Sequence, residues 1–124
     1  MCCLAGGGEG VALGPGGSFE PLRIAATFWQ KAKGLLLASP QSFSGTLLMP
    51  DCADVHTFGM RHRIDVAFAD GAGVVVAVHR NVGSCRRLKH RRAVYALERF
   101  SLPDSPWLEE GDRLCAYVYR AERP

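Results

Sequence analysis

The stretch from Ile64 to Val78 constrains the fold more than any other part of the chain. Ile64, Val66 and Phe68 alternate with Asp65, Ala67 and Ala69; Asp70-Gly71-Ala72-Gly73 follows, and Val74-Val75-Val76-Ala77-Val78 completes the segment. Alternation at period two is the pattern of a strand, and a cluster of Asp and Gly between two such runs supplies the backbone conformations that a tight reversal needs. The segment predicts an antiparallel hairpin whose alternate side chains line a dry interior, which commits the chain to a sheet-based core.

The remaining sequence extends this reading. Leu22, Ile24 and Ala26 alternate with Arg23, Ala25 and Thr27 and predict a first strand. Thr27 can cap a short helix from Phe28 to Leu36, where Phe28, Ala32 and Leu35 share a side, and Gly34 and Pro40 keep it brief. Thr46-Leu47-Leu48-Met49, Ala93-Val94-Tyr95-Ala96-Leu97 and the run from Leu114 to Tyr119 predict further strands, and Pro106 to Glu110 a single helical turn. No segment repeats and no β-α-β alternation is evident. The expected fold is mainly β: a compact antiparallel β-sandwich or partly closed barrel with one or two short helices.

At 124 residues the chain has room for one domain with its own core. Seven of its 14 glycines fall before Ser18, so residues 1–18 are expected to be a flexible Gly-rich leader and 19–124 a single β-rich domain. No apolar run is long enough to span a bilayer, and the N-terminal residues lack the pattern of a secretory signal, so a cytoplasmic location is expected. The five cysteines, Cys2, Cys3, Cys52, Cys85 and Cys115, show no C-x-x-C pair and encode no disulfide framework; Cys115, among apolar neighbours, reads as a small buried hydrophobe. The glycines near the N-terminus are not followed by Gly-Lys-Ser or Gly-Lys-Thr, which leaves nucleotide binding unsupported. A formal charge of +3 names no partner; only its distribution can matter.

Several short motifs occur in a recognisable order: Gly34-Leu35-Leu36, Leu47-Leu48-Met49, His56-Thr57-Phe58-Gly59-Met60-Arg61, Ile64-Asp65-Val66-Ala67-Phe68-Ala69-Asp70 with Gly73 and Val74, Leu97-Glu98, and Gly111-Asp112-Arg113-Leu114. Together they resemble domain-of-unknown-function family 192, a group of small bacterial and archaeal domains. The resemblance runs from about Leu22 to Tyr119 and implies a compact β-rich fold; it implies no particular activity. Two positions depart from the family pattern: Leu36 stands where Met is usual, and Arg99-Phe100-Ser101 where a Gly often follows the Leu-Glu pair.

Two clusters could carry chemistry. The first is Cys52, Asp54, His56, His62 and Asp65. If 54–60 were extended, Asp54, His56, Phe58 and Met60 would share one face, half of a divalent-metal site that Cys52 or His62 could complete. The pattern lacks the second close pair of a structural zinc site, and the ordinary reading, a hydrogen-bonded His and a small buried thiol, is preferred. Cys52 and His56 as nucleophile and base would need a bend, because residues four apart on a strand are separated by about 13 Å. Asp65 and Glu98 could be paired carboxylates; the preferred reading is that each is hydrogen-bonded by a loop or paired with an arginine such as Arg61 or Arg63.

The second cluster is basic: Arg86, Arg87, Lys89, Arg91 and Arg92, with Arg80 upstream. It could grip phosphates, but it has no interleaved aromatics to stack bases, and a solvated loop between strands is the ordinary reading. The expected function is a non-catalytic binding or assembly-accessory module with no cofactor and no metal; its partner is unknown, with a protein the candidate and nucleic acid not favoured. The alternatives are a metal-binding protein or enzyme centred on His56, or anion and nucleic-acid contact through residues 86–92.

Overall fold

The computed structural model describes residues 10–13, 22–25, 34–36, 38–114 and 116–119. In chain order the strands are β1 (Gly10–Leu13), β2 (Leu22–Ile24), β3 (Thr46–Pro50), β4 (Asp54–His56) and β5 (Ile64–Ala69). Then come β6 (Val75–Val82), β7 (Arg87–Lys89), β8 (Tyr95–Phe100) and β9 (Ala116–Tyr119). Five form one sheet in the order β2-β3-β8-β5-β6, flanked by two-stranded pairings of β4 with β7 and of β1 with β9.

The hairpin that the alternation predicts is β5–β6. Asp70 builds its turn: the side-chain Oδ1 accepts from the N–H groups of Ala72 and Val74 at 2.9 and 3.0 Å, and its carbonyl accepts from Gly73 N–H. Gly73 has φ of +79°, a conformation costly for any residue with a Cβ, so the glycine here is a requirement of the turn.

All six residues of β5 are buried, as are Ala96 to Phe100 of β8. Both faces of the central sheet are therefore covered, which is more than the expected single dry interior. Leu47, Met49, Ile64, Val66, Phe68, Ala96 and Phe100 belong to one core, which Val55 and Leu88 of the β4–β7 ribbon join. Leu48, Ala67, Ala69 and Leu97 belong to the opposite core, closed by Leu108 and Leu114. The pairings Val66 with Glu98 and Ala67 with Leu97 fix which residues share a face. The alanines on the second face leave room for residues 107–114 to lie close to the sheet.

The fold is mainly β, as expected; the five-stranded sheet is open, and it is mixed because β2 runs parallel to β3. A parallel neighbour cannot be reached through a tight turn, so hydrophobic alternation alone does not reveal this pairing. The helix expected over 28–36 falls largely outside the described residues; 34–36 form a turn, with Gly34 at φ +49°. The helical turn expected over 106–110 is not formed. Trp107 instead lays its ring against Arg99, Leu108 enters the second core, and a turn follows in which Glu109 N–H donates to Asp112 Oδ2. Within residues 1–18, Gly10–Leu13 is a strand that pairs with β9. Cys2, Cys3 and Cys115 lie outside the described residues. Among the described residues, no helix is long and apolar enough to cross a membrane.

Candidate functional site

Three polar features stand out. The first is the ion-pair network on Asp65, fully buried on the second face of the sheet. Its Oδ2 accepts from Arg99 Nε at 2.9 Å, and Arg99 is itself 2 % exposed. Pairing between β5 and β6 shifts register after Ile64, and Asn81 sits at φ +54° in the resulting bulge. The bulge directs Asn81 N–H onto Asp65 Oδ1 at 2.8 Å and brings Arg80 Nε to 3.2 Å from the same oxygen. Burial raises the Asp65 pKa, but the Asn81 N–H and the two guanidinium groups outweigh it and hold the carboxyl below its ordinary value. Beyond Asp65, Arg80 donates to the carbonyls of Leu102 and Ser105, and Arg99 to that of Ser105. The network thus ties residues 102–105 to the sheet, and its charges are consumed in doing so.

The second feature is Glu98, 5 % exposed on the opposite face, in register with Leu47 and Val66. Desolvation pushes its pKa up to about 7, against the opposing effect of one hydrogen bond from Leu35 N–H. Three motifs distant in sequence converge here. A Cβ built on Gly34 would lie 2.8 Å from Glu98 Oε2, and one on Gly59 would lie 3.4 Å from Leu36. Gly34→Ala is accordingly expected to cost about 1–2 kcal/mol for its left-handed backbone alone, with displacement of the Glu98 carboxyl in addition. A urea titration of the variant measures it.

The third feature is the outer face of the β4–β7 ribbon. Asp54 pairs with Lys89, Val55 with Leu88 and His56 with Arg87. Val55 and Leu88 turn inward, so Asp54, His56, Arg87 and Lys89 share the exposed face. Arg87 forks onto Asp54 with bonds of 3.1, 3.1 and 2.6 Å, and this pairing holds the Asp54 carboxyl below its ordinary value. The chain turns after β4, with Met60 N–H donating to Thr57 O, and the turn brings the Phe58 ring onto His56 at 5.4 Å and 23° between planes. Phe58 is 52 % exposed. Thr57 fastens the turn to β7: its N–H donates to Arg86 O, and its Oγ1 accepts from Arg86 N–H and donates to Gly83 O.

The cluster of Cys52, Asp54, His56, His62 and Asp65 is not drawn to one point. The Cys52 thiol donates to Asp54 O, Asp54 holds Arg87, and His56 stacks on Phe58. His62 meets the edge of Phe100 on one side of the sheet, while Asp65 is buried on the other. Among the described residues, no three His, Cys, Asp or Glu side chains are grouped to hold a metal ion. Extension across 54–60 ends at His56, and Met60 packs against the first core.

The arginine partners of Asp65 are Arg80 and Arg99; Arg63 turns away to donate to Asn81 O. The basic run is partly a strand rather than a loop, because Leu88 has a buried partner in Val55. What sequence reasoning missed is the aromatic neighbour of that run. Phe58 lies some thirty positions upstream, and only the pairing of β4 with β7 brings it alongside.

The fold resembles solved structures at low identity. A protein of unknown function from Novosphingobium aromaticivorans DSM 12444 superposes with a TM-score of 0.66 at 17 % identity, covering 85 % of this chain and 82 % of that one. A Sinorhizobium meliloti 1021 protein described as a candidate transcription regulator gives 0.68 at 17 % identity, covering 86 % and 91 %. At such identity the likeness concerns the fold alone. No curated protein matches the sequence. The family model DUF192, "Uncharacterized ACR", matches residues 14–101, which takes in every motif noted above except Gly111-Asp112-Arg113-Leu114. With its matched motifs meeting around Glu98 and across the β5–β6 hairpin, the chain belongs to the DUF192 family.

Proposed function

We propose that this domain is a non-catalytic binding module whose contact surface is the outer face of the β4–β7 ribbon together with the exposed residues flanking β7, and that its partner is anionic. One observation carries the reading. Arg86, Lys89, Arg91 and Arg92 are exposed, and none has an ion-pair partner among the described residues, whereas Arg80, Arg87 and Arg99 are all paired. Cations left uncompensated on one short stretch form the local field that attracts and retains an anion. The interior supports the same division. Asp65 is neutralised by arginines, and Glu98 is enclosed by the 34–36 turn, so neither acid is presented to a substrate. A metal or catalytic centre at His56 has less support, since its proposed helpers are engaged elsewhere.

The test is a titration of the full chain with inorganic polyphosphate. Binding at low salt is expected to weaken linearly in log-log form as salt rises. The double variant Arg86→Glu, Arg91→Glu is expected to bind at least about tenfold more weakly with an unchanged melting temperature, because both side chains are exposed. Equal binding by the variant, or none by the parent, refutes the reading.

A further inference from the structure

Resting on the anion-binding reading of the ribbon, we infer that its partner is single-stranded nucleic acid, with the Phe58–His56 pair as a stacking platform beside the phosphate-binding cations. Two independent observations meet at this ribbon and the residues flanking β7. The cations of residues 86–92 supply the charge, and Asp54, the acid among them, is already neutralised by the fork of Arg87. The second observation is aromatic. Phe58 is one of only two large hydrophobic side chains exposed among the described residues, and it stands over His56 at near-parallel orientation rather than packing into either core. His56 is in register with Arg87, and Thr57, which separates His56 from Phe58 in sequence, is bonded through backbone and hydroxyl to Arg86. The aromatic pair and the start of the basic run therefore occupy adjoining positions.

This juxtaposition selects among anions. Polyphosphate and acidic peptides satisfy the cations but offer no flat π-face to the Phe58 ring. A duplex offers phosphates but keeps its bases stacked on one another. An unpaired strand presents both, and aromatic stacking on bases combined with a basic track is how proteins hold single strands without reading sequence. The basic run by itself lacks interleaved aromatics; the ribbon supplies them from the neighbouring strand. The other large exposed hydrophobe, Leu102, borders a cleft of about 190 Å³ whose lining is mostly apolar, and Arg99 there is committed to Asp65. That cleft has no free charge to orient an anion.

The experiment is fluorescence anisotropy with a labelled oligo-thymidylate, an equal-length DNA duplex, inorganic polyphosphate and poly-glutamate, using the full chain and Phe58→Ala. Oligo-thymidylate is expected to bind tightest, with affinity falling steeply as salt rises. Phe58→Ala is expected to weaken oligo-thymidylate binding roughly tenfold while leaving polyphosphate binding unchanged. Because Phe58 is half exposed, the variant is expected to keep its fold, checked by its melting temperature and circular dichroism. Equal binding of the strand by Phe58→Ala, or tighter binding of duplex or poly-glutamate, overturns the single-strand inference while the anion-binding reading stands. Failure to bind any of the four polyanions overturns both.

Discussion

Glu98→Gln is expected to stabilise the domain at pH 8 by roughly 3 kcal/mol and to remove most of the pH dependence of its stability between pH 4.5 and 7. The folded chain raises the Glu98 pKa from 4.5 to about 7, so over that window the unfolded chain releases its proton and the folded chain keeps it. Where the native state binds more protons, stability falls as pH rises. The contribution is thus intact below the unfolded value, declines through the window, and is fully lost once pH passes the folded value. Glutamine retains an oxygen to accept from Leu35 N–H and has no charge to desolvate. Chemical denaturation at several pH values measures the effect. Equal stability of parent and variant at pH 8 would show that the carboxylate is solvated or paired in the folded chain. Asp65 works in the other direction: its folded pKa is lowered, so its contribution is present above its unfolded value and is lost as pH falls through the folded one.

Asp65→Ala is expected to be the most damaging single substitution, costing about 3–5 kcal/mol, because it leaves the Arg99 guanidinium buried without its carboxylate. The loss is not the worth of the ion pair. A double variant, Asp65→Leu with Arg99→Met, removes both charges and is expected to recover much of that cost, since well-packed apolar replacements of buried pairs are often neutral. Three observations separate the effects: the single variant, the double variant, and the protease sensitivity of residues 102–105, which Arg80 and Arg99 tie down. A single variant as stable as the parent would mean that Arg99 reaches solvent.

The hairpin was legible because its information is local. Alternation in Ile64–Ala69 and the Asp70–Gly73 turn chemistry act within fifteen residues, and backbone hydrogen bonds follow from them directly. The family motifs were legible too, although their convergence was not. Gly34, Leu36, Gly59 and Glu98 carry no mark in sequence that they meet; they do so because β8 lies between β3 and β5. The identity of the Asp65 partners was hidden for a similar reason. Arg61 and Arg63 are near in sequence, but a one-residue bulge at Asn81 turns Arg80 onto the carboxylate, and strand pairing sets Arg99 opposite it. The helical turn expected after Pro106 yielded to tertiary contacts, as Trp107 gains more against Arg99 and Leu108 more in the core than one isolated turn provides.

In the candidate site, residue types were visible and grouping was not. The residues around His56 form a plausible ligand set only while 54–60 is taken as extended, with Cys52 or His62 reaching in from its flanks. The turn at Thr57 and the burial of Asp65 disperse them. That same turn places Phe58 beside the basic strand and so makes a different surface from the same residues.

The separation of roles, with acids enclosed in the interior and an exposed ribbon making contact, is tested most directly by two-dimensional amide NMR of the full chain titrated with oligo-thymidylate. Chemical-shift changes are expected along Asp54 to Phe58 and Arg86 to Arg92, with the amides of Asp65 and Glu98 unmoved. Changes centred instead on Glu98 and the 34–36 turn, with the ribbon silent, would contradict it.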